Sequence, residues 1–195
     1  MTDPADPLAL DLRAGLPEAL QVLLADRPRE GWRADPEFDG LVSFWLERHM
    51  AFRKLLGLME EATAAHLHQG APARDWAARI SRFGGMFLQE LHGHHMIEDQ
   101  RYFPRLRALE PRLDRGFEIL DRDHHALDGW MAAFADAANA GIGAATTPDV
   151  PAAALRDAAG GMEGALADMS RLLDRHLLDE EDLIVPVILK HGVKG

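Results

Sequence analysis

Four stretches of helical length carry an apolar stripe spaced alternately four and three residues apart, and histidine or glutamate interrupts every stripe. The clearest reads Leu113, Phe117, Leu120, His124, Leu127, Met131, Phe134. A second reads Met162, Leu166, Met169, Leu173, His176, Glu180, Leu183, Val187, with two polar residues on the face. A third reads Leu41, Trp45, His49, Phe52, Leu56, Met59. The fourth reads Ile80, Phe83, Phe87, Leu91, then His94 or His95, then Glu98 and Tyr102. Residues at these spacings share one face of a helix, so each stripe marks a buried face.

β-branched alternation is almost absent, which makes the expected class all-α. Breaking residues set the expected helices at 37–69, ended by Gly70 with Pro72 beyond, and at 73–109, bent or broken at Pro104. The next are 112–140, fading into the loop AGIGAATTPDVP, and 151–190, with Pro186 disturbing its last turns. Short connections imply antiparallel neighbours, hence an up-down-up-down antiparallel four-helix bundle over residues 37–195. Residues 1–36 read as an N-terminal appendage, with a short helix in LPEALQVLLAD and a loop in RPREGWRADP.

An ionised glutamate in an apolar core costs several kcal/mol unless it is compensated. Two such glutamates and one histidine on each helix need a shared compensation, which a pair of divalent cations would supply. His49 and His124 lie about 12 residues after their helix starts, while His94 and His176 each lie ten residues before a proline. At ~1.5 Å per residue in an antiparallel bundle, the four levels roughly coincide. An internal repeat points the same way. HHMIEDQRYFP (94–104) and HLLDEEDLIVP (176–186) share His-x3-Glu-x5-Pro, which places His and Glu one turn apart on one face. The chain has no cysteine, so any metal is held by nitrogen and oxygen. That donor set suits iron, manganese or zinc, and a carboxylate can bridge two metals.

These residues resemble the hemerythrin-like, or HHE cation-binding, domain family. Its pattern is a lone His, then His-x3-Glu, then a lone His, then His-x3-Glu, one element per helix. Here His49, His94, Glu98, His124, His176 and Glu180 fill it over roughly residues 40–190. The resemblance implies these six as metal ligands around a non-haem di-iron centre with bridging carboxylates, and manganese or zinc as other possible occupants. It implies oxygen binding or sensing, or iron handling, with dioxygen or nitric oxide as the small-molecule ligand. The oxygen-carrier branch uses five histidines and a bridging aspartate; a fifth histidine is available here if His95 or His125 joins. The repair branch carries an N-terminal cysteine region, which this sequence lacks.

Neighbouring residues have plainer roles open to them. Glu98 and Glu180 could pair with Arg101 or Arg175 at a half-exposed surface. The internal repeat favours His94 over His95, with His95 left as a possible additional ligand. His125 and Glu181 fall one residue off their stripes, which suits support of a ligand or a surface position. Glu90 could orient His94 or face solvent. His66, His68, His92 and His191 read as surface residues. Trp45, Phe52 and Phe87 are core packing that could also keep water from the metals.

A net charge of -11 opposes binding to nucleic acid or an anionic membrane. No stretch is long and apolar enough to cross a bilayer, and the acidic first residues lack a secretory pattern, so the expected location is cytoplasmic. No phosphate loop or nucleophile elbow appears. A binding or sensing protein is therefore expected ahead of an enzyme. The alternative is ferroxidase, peroxide or nitric-oxide chemistry, or iron-centre repair, on the same metals. A structural or zinc-binding module is a third reading, and the protein partner is unidentified.

Overall fold

The computed structural model of this chain describes residues 6–38 and 40–195. Residues 1–5 of the expected appendage, and Asp39 in the first expected helix, lie outside the described residues. Among the described residues there is no β-strand, and the protein is an all-α helical bundle. A 3₁₀ turn at Glu18–Leu20, helix α1 at Val22–Asp26 and a second 3₁₀ turn at Arg29–Ala34 come first. Helix α2 is Gly40–Gln69, and α3 is Ala73–Ile97. A π-helical turn at Glu98–Tyr102 leads into α4, Phe103–Leu109. A 3₁₀ turn at Pro111–Leu113 then opens α5, Asp114–Thr146, and α6 is Ala152–His191.

The stripes are buried almost throughout. Every stripe residue of α2, α5 and α6 is buried, polar ones included. On α3 and the turn after it, Ile80, Phe87, Leu91, His95 and Glu98 are buried, while Phe83, His94 and Tyr102 are half-buried.

Helical turns run past both Pro104 and Pro186, close to the expected spans 73–109 and 151–190, whereas the end of α5 and the segment RPREGWRADP differ from expectation, each for a local reason. The helix does not end at Pro104. Its ladder widens into the π turn before the proline, which relieves the clash of the ring with the carbonyl four residues earlier. α5 continues to Thr146 instead of fading near 140. Gly141 lies there against the ring of buried Trp76, so packing outweighs the weak helix propensity of glycine. α6 runs on through Pro186 to His191. It stops at Gly192, whose φ of 59° lets the Val193 N–H close on the Ile188 carbonyl in a Schellman arrangement. The expected loop RPREGWRADP holds the 3₁₀ turn Arg29–Ala34, because Trp32 is buried and its indole N–H donates to the Arg27 carbonyl at 2.8 Å.

The chain divides into two compact units. One draws on the chain up to Met50, on His94–Ala126 and on Leu172–Gly195. Its core joins Leu16, Leu20, Leu23 and Trp32, all ahead of α2, to Phe103, Phe117, Leu183 and Ile188. The other draws on Ala51–Gly93 and Leu127–Arg171. Phe87 meets Phe52 edge to face there at 6.3 Å and Phe134 at 5.6 Å, and Trp76 stacks on His66 at 4.9 Å.

Candidate metal centre

Among the described residues, the histidine and carboxylate groups able to hold a metal lie in the first unit. α2 supplies His49; α3 supplies the consecutive pair His94 and His95; the π turn supplies Glu98. α5 supplies His124, and α6 supplies His176 and, one turn on, Glu180. Successive helical residues diverge by about 100°, so His94 and His95 serve different neighbours. His49, His94, Glu98 and Glu180 form one group whose ligand atoms all lie within 4.8 Å of one another. His95, His124 and His176 form a second group by the same measure.

The two glutamates reach from one group to the other. Glu98 Oε1 is 2.9 Å from His94 Nε2, and its Oε2 is 3.6 Å from His124 Nε2. Glu180 Oε2 is 3.5 Å from the Nε2 atoms of both His49 and His176. Its other oxygen accepts a hydrogen bond from the Trp45 indole N–H. The pairing of these glutamates with Arg101 or Arg175 does not form. Arg175 donates instead to Asp179 and to the Ala14 carbonyl, and Arg101 lies over the Tyr102 ring.

The imidazoles turn their Nε2 atoms inward. His49 Nε2 faces His94 Nε2 at 3.2 Å, and His124 Nε2 faces His176 Nε2 at 3.2 Å. Three outward Nδ1 atoms meet carboxylates: His49 with Glu181 at 2.9 Å, His124 with Asp99 at 2.7 Å, His176 with Asp123 at 3.3 Å. With Nδ1–H donating to a carboxylate, the Nε2 lone pair is left pointing at the centre. Beyond these carboxylates stand two arginines from the segment before α2. Arg13 donates to Asp123 and Asp179, and Arg29 to Glu181 and Asp182.

Protonation reflects the crowding. Burial favours neutral His49, but the charges of Glu180 and Glu181 more than offset it and raise its pKa to about 8. Burial carries His94 down to about 3. Burial also pushes His95 well below its ordinary value, reinforced by His124 and His176. Glu98 is raised well above the carboxylate range by burial and by Glu180. Burial opposes ionisation of Glu180 too, but the imidazolium of His49 holds its carboxyl well below that range. The two carboxyls are thus pushed in opposite directions.

The residues fit a pair of cations. His95 Nε2, both oxygens of Glu98 and Glu180 Oε2 are buried without a hydrogen-bond partner. Buried polar atoms are normally satisfied, so four such atoms around one centre call for an electrophile. Five imidazole nitrogens and two carboxylates, with no sulfur, form a donor set for hard to borderline metals.

All six residues singled out from the sequence come to this centre. His95, a possible addition on the sequence, sits in the second group. Glu181 supports His49. His125 is exposed and bonds the Asp121 carbonyl. Glu90, His68, His92 and His191 are exposed, whereas His66 is half-buried against Trp76. Trp45 touches the site; Phe52 and Phe87 belong to the other unit. Sequence reasoning missed Asp99, Asp123, Arg13 and Arg29. A signal existed for the aspartates, since Asp99 follows Glu98 and Asp123 precedes His124, as Glu181 follows Glu180. For the arginines there was none, because their role depends on where the N-terminal segment runs.

No curated protein and no solved structure matches the chain. A family model, the hemerythrin HHE cation binding domain, matches residues 40–190 and so takes in every inward-facing histidine and glutamate of the centre. On that match, and on the paired His/Glu groups at its heart, the chain belongs to the hemerythrin HHE cation-binding domain family.

Proposed function

We propose that this cation-binding protein holds two iron ions and serves oxygen binding, oxygen sensing or iron handling. One observation carries the reading: two glutamates, buried without sufficient donors, each reach toward histidines of both groups. A carboxylate so placed can bridge two ions, and that supports a dinuclear centre over two independent sites. His49, His94, Glu98 and Glu180 would hold one ion. His95, His124 and His176 would hold the other, with the same glutamates shared. Two ferrous ions, when bound, supply the electrons that reversible dioxygen or nitric oxide binding needs.

The protein's own part is to shape the surroundings. Asp99, Asp123 and Glu181 hold three rings in the tautomer that presents Nε2 inward. Trp45 fixes one oxygen of Glu180 and leaves the other free for the centre. The near-complete burial of His49, His176 and both glutamates excludes bulk water.

Metal content tests this directly. Expressed with iron, the wild-type chain should carry about two irons by mass spectrometry, and His176→Ala should carry clearly less. Metal content unaffected by His176→Ala would exclude this centre as the site. Turnover chemistry on the same metals has one observation in its favour: oxidisable Tyr102 meets Trp45 edge to face at 5.0 Å, and Trp45 bonds Glu180. Multiple-turnover consumption of peroxide or nitric oxide by the iron-loaded protein would favour an enzyme; binding and release of unchanged gas would favour the carrier or sensor.

A further inference from the structure

The segment ahead of α2 sends one guanidinium toward each half of the centre. Arg13, whose side chain is 1% exposed, bonds Asp123, and Asp123 in turn holds Nδ1 of His176, a member of the His95/His124/His176 group. Arg29 donates to Glu181 at 2.7 Å, and Glu181 holds Nδ1 of His49, a member of the other group.

The arginines are anchored as well as aimed. Arg13 Nε donates to Asp179 at 2.7 Å, and the Leu16 N–H donates to the same carboxylate at 3.2 Å. Arg175 bonds the Ala14 carbonyl at 2.7 Å. Arg29 also donates to Asp182 and the Leu178 carbonyl, and its guanidinium lies 4.9 Å from the Trp32 ring centroid. Leu16, Leu20, Leu23 and Trp32 then bury the segment in the core of the same unit.

We propose that Arg13 and Arg29 are positioning residues, one for each metal position, so that docking of the segment before α2 and loading of the metal centre reinforce each other. This rests on the dinuclear reading above. The Arg13 fork fixes both oxygens of Asp123 in a plane, Arg29 holds the Glu181 oxygen that His49 does not use, and a carboxylate so fixed sets the tilt and basicity of its imidazole. Loss of such outer support typically lowers metal affinity roughly 10–100-fold. Because coupling is reciprocal, metal must also tighten the segment by the same factor that the segment tightens metal.

The test is titration of the full-length metal-free chain with Co(II), read by its ligand-field absorption, beside limited proteolysis of the segment with and without Co(II). Arg13→Lys keeps the buried charge but loses the fork, and Arg29→Gln changes a partly exposed side chain, so both should fold. Arg27→Gln is the control, since Arg27 pairs with Asp35 inside the segment and away from the carboxylates that hold the rings. We expect two Co(II) equivalents in wild type. One step should weaken roughly 10–100-fold in Arg29→Gln and the other in Arg13→Lys, with neither changed in Arg27→Gln. Co(II) should slow cleavage of the segment. Wild-type affinity at both steps in Arg13→Lys and Arg29→Gln would overturn the proposal while leaving the dinuclear centre standing. Equal weakening of both steps in all three variants would also overturn it, as general destabilisation. A wild-type chain that takes up no Co(II) would remove the dinuclear reading and this inference with it.

Discussion

His49 shows how a single ring can set the pH behaviour of the centre. Its pKa, raised to about 8 chiefly by Glu180, means that the metal-free ring is charged at pH 7. The stabilisation this gives the metal-free fold is fully present below the ordinary imidazole value of 6.5 and is lost as pH rises through about 8. Metal coordination needs the neutral ring, and it needs the ionised form of Glu98, which burial and Glu180 oppose. Metal loading at pH 7 should therefore release protons, and affinity should climb as pH rises through about 8, where His49 gives up its proton. Calorimetric titrations in buffers of different ionisation enthalpy measure that release directly. A loading reaction that takes place at pH 7 without proton release would mean that His49 is already neutral and Glu98 already ionised. The internal repeat favours His94 over His95, yet both reach the centre. A repeat compares one helix with another and carries no information on whether two adjacent rings can serve two different groups.

At the scale of the helix, the glycines separate packing from propensity. A Cβ at Gly141 would lie 2.7 Å from the ring of Trp76, a rigid and fully buried side chain. Gly141→Ala should destabilise by about 1–3 kcal/mol through overpacking, which outweighs the gain of up to ~1 kcal/mol in helix propensity. Gly164 is exposed on α6, and a methyl group there would meet nothing within 4 Å, so Gly164→Ala should stabilise by about 0.5–1 kcal/mol. Urea denaturation of the two variants checks the opposite signs. The same contest explains where α5 ends. Gly141 and Gly143 read as loop from composition, and Trp76, distant in sequence, decides otherwise. The π turn at Glu98–Tyr102 likewise answers Pro104, a few residues further along the chain. The proline was legible as a disturbance; the form of the accommodation depended on what the surrounding helix could tolerate.

For the molecule as a whole, stability and metal content should be linked. The metal-free unit buries two glutamates and several imidazoles with unmet hydrogen-bonding capacity, and an ion that binds only the folded chain removes that penalty. Free metal at 100 times its dissociation constant should raise stability by ~2.7 kcal/mol for each site filled, an effect that a chelator reverses and His176→Ala reduces. Thermal melts with and without chelator would show it, and identical melting curves would contradict it. The all-α class, the four buried stripes and the six inward-facing residues were written in the chain, because helical periodicity is local and a polar residue on an apolar face is conspicuous wherever the helix packs. What depended on tertiary structure was the division of labour around the centre: His95 joining one group and His94 the other, and Asp123 supporting a histidine of a different helix. It also decided the reach of Arg13 across 110 residues to Asp123. Such contacts arise only when segments far apart in sequence meet, so no local pattern encodes them.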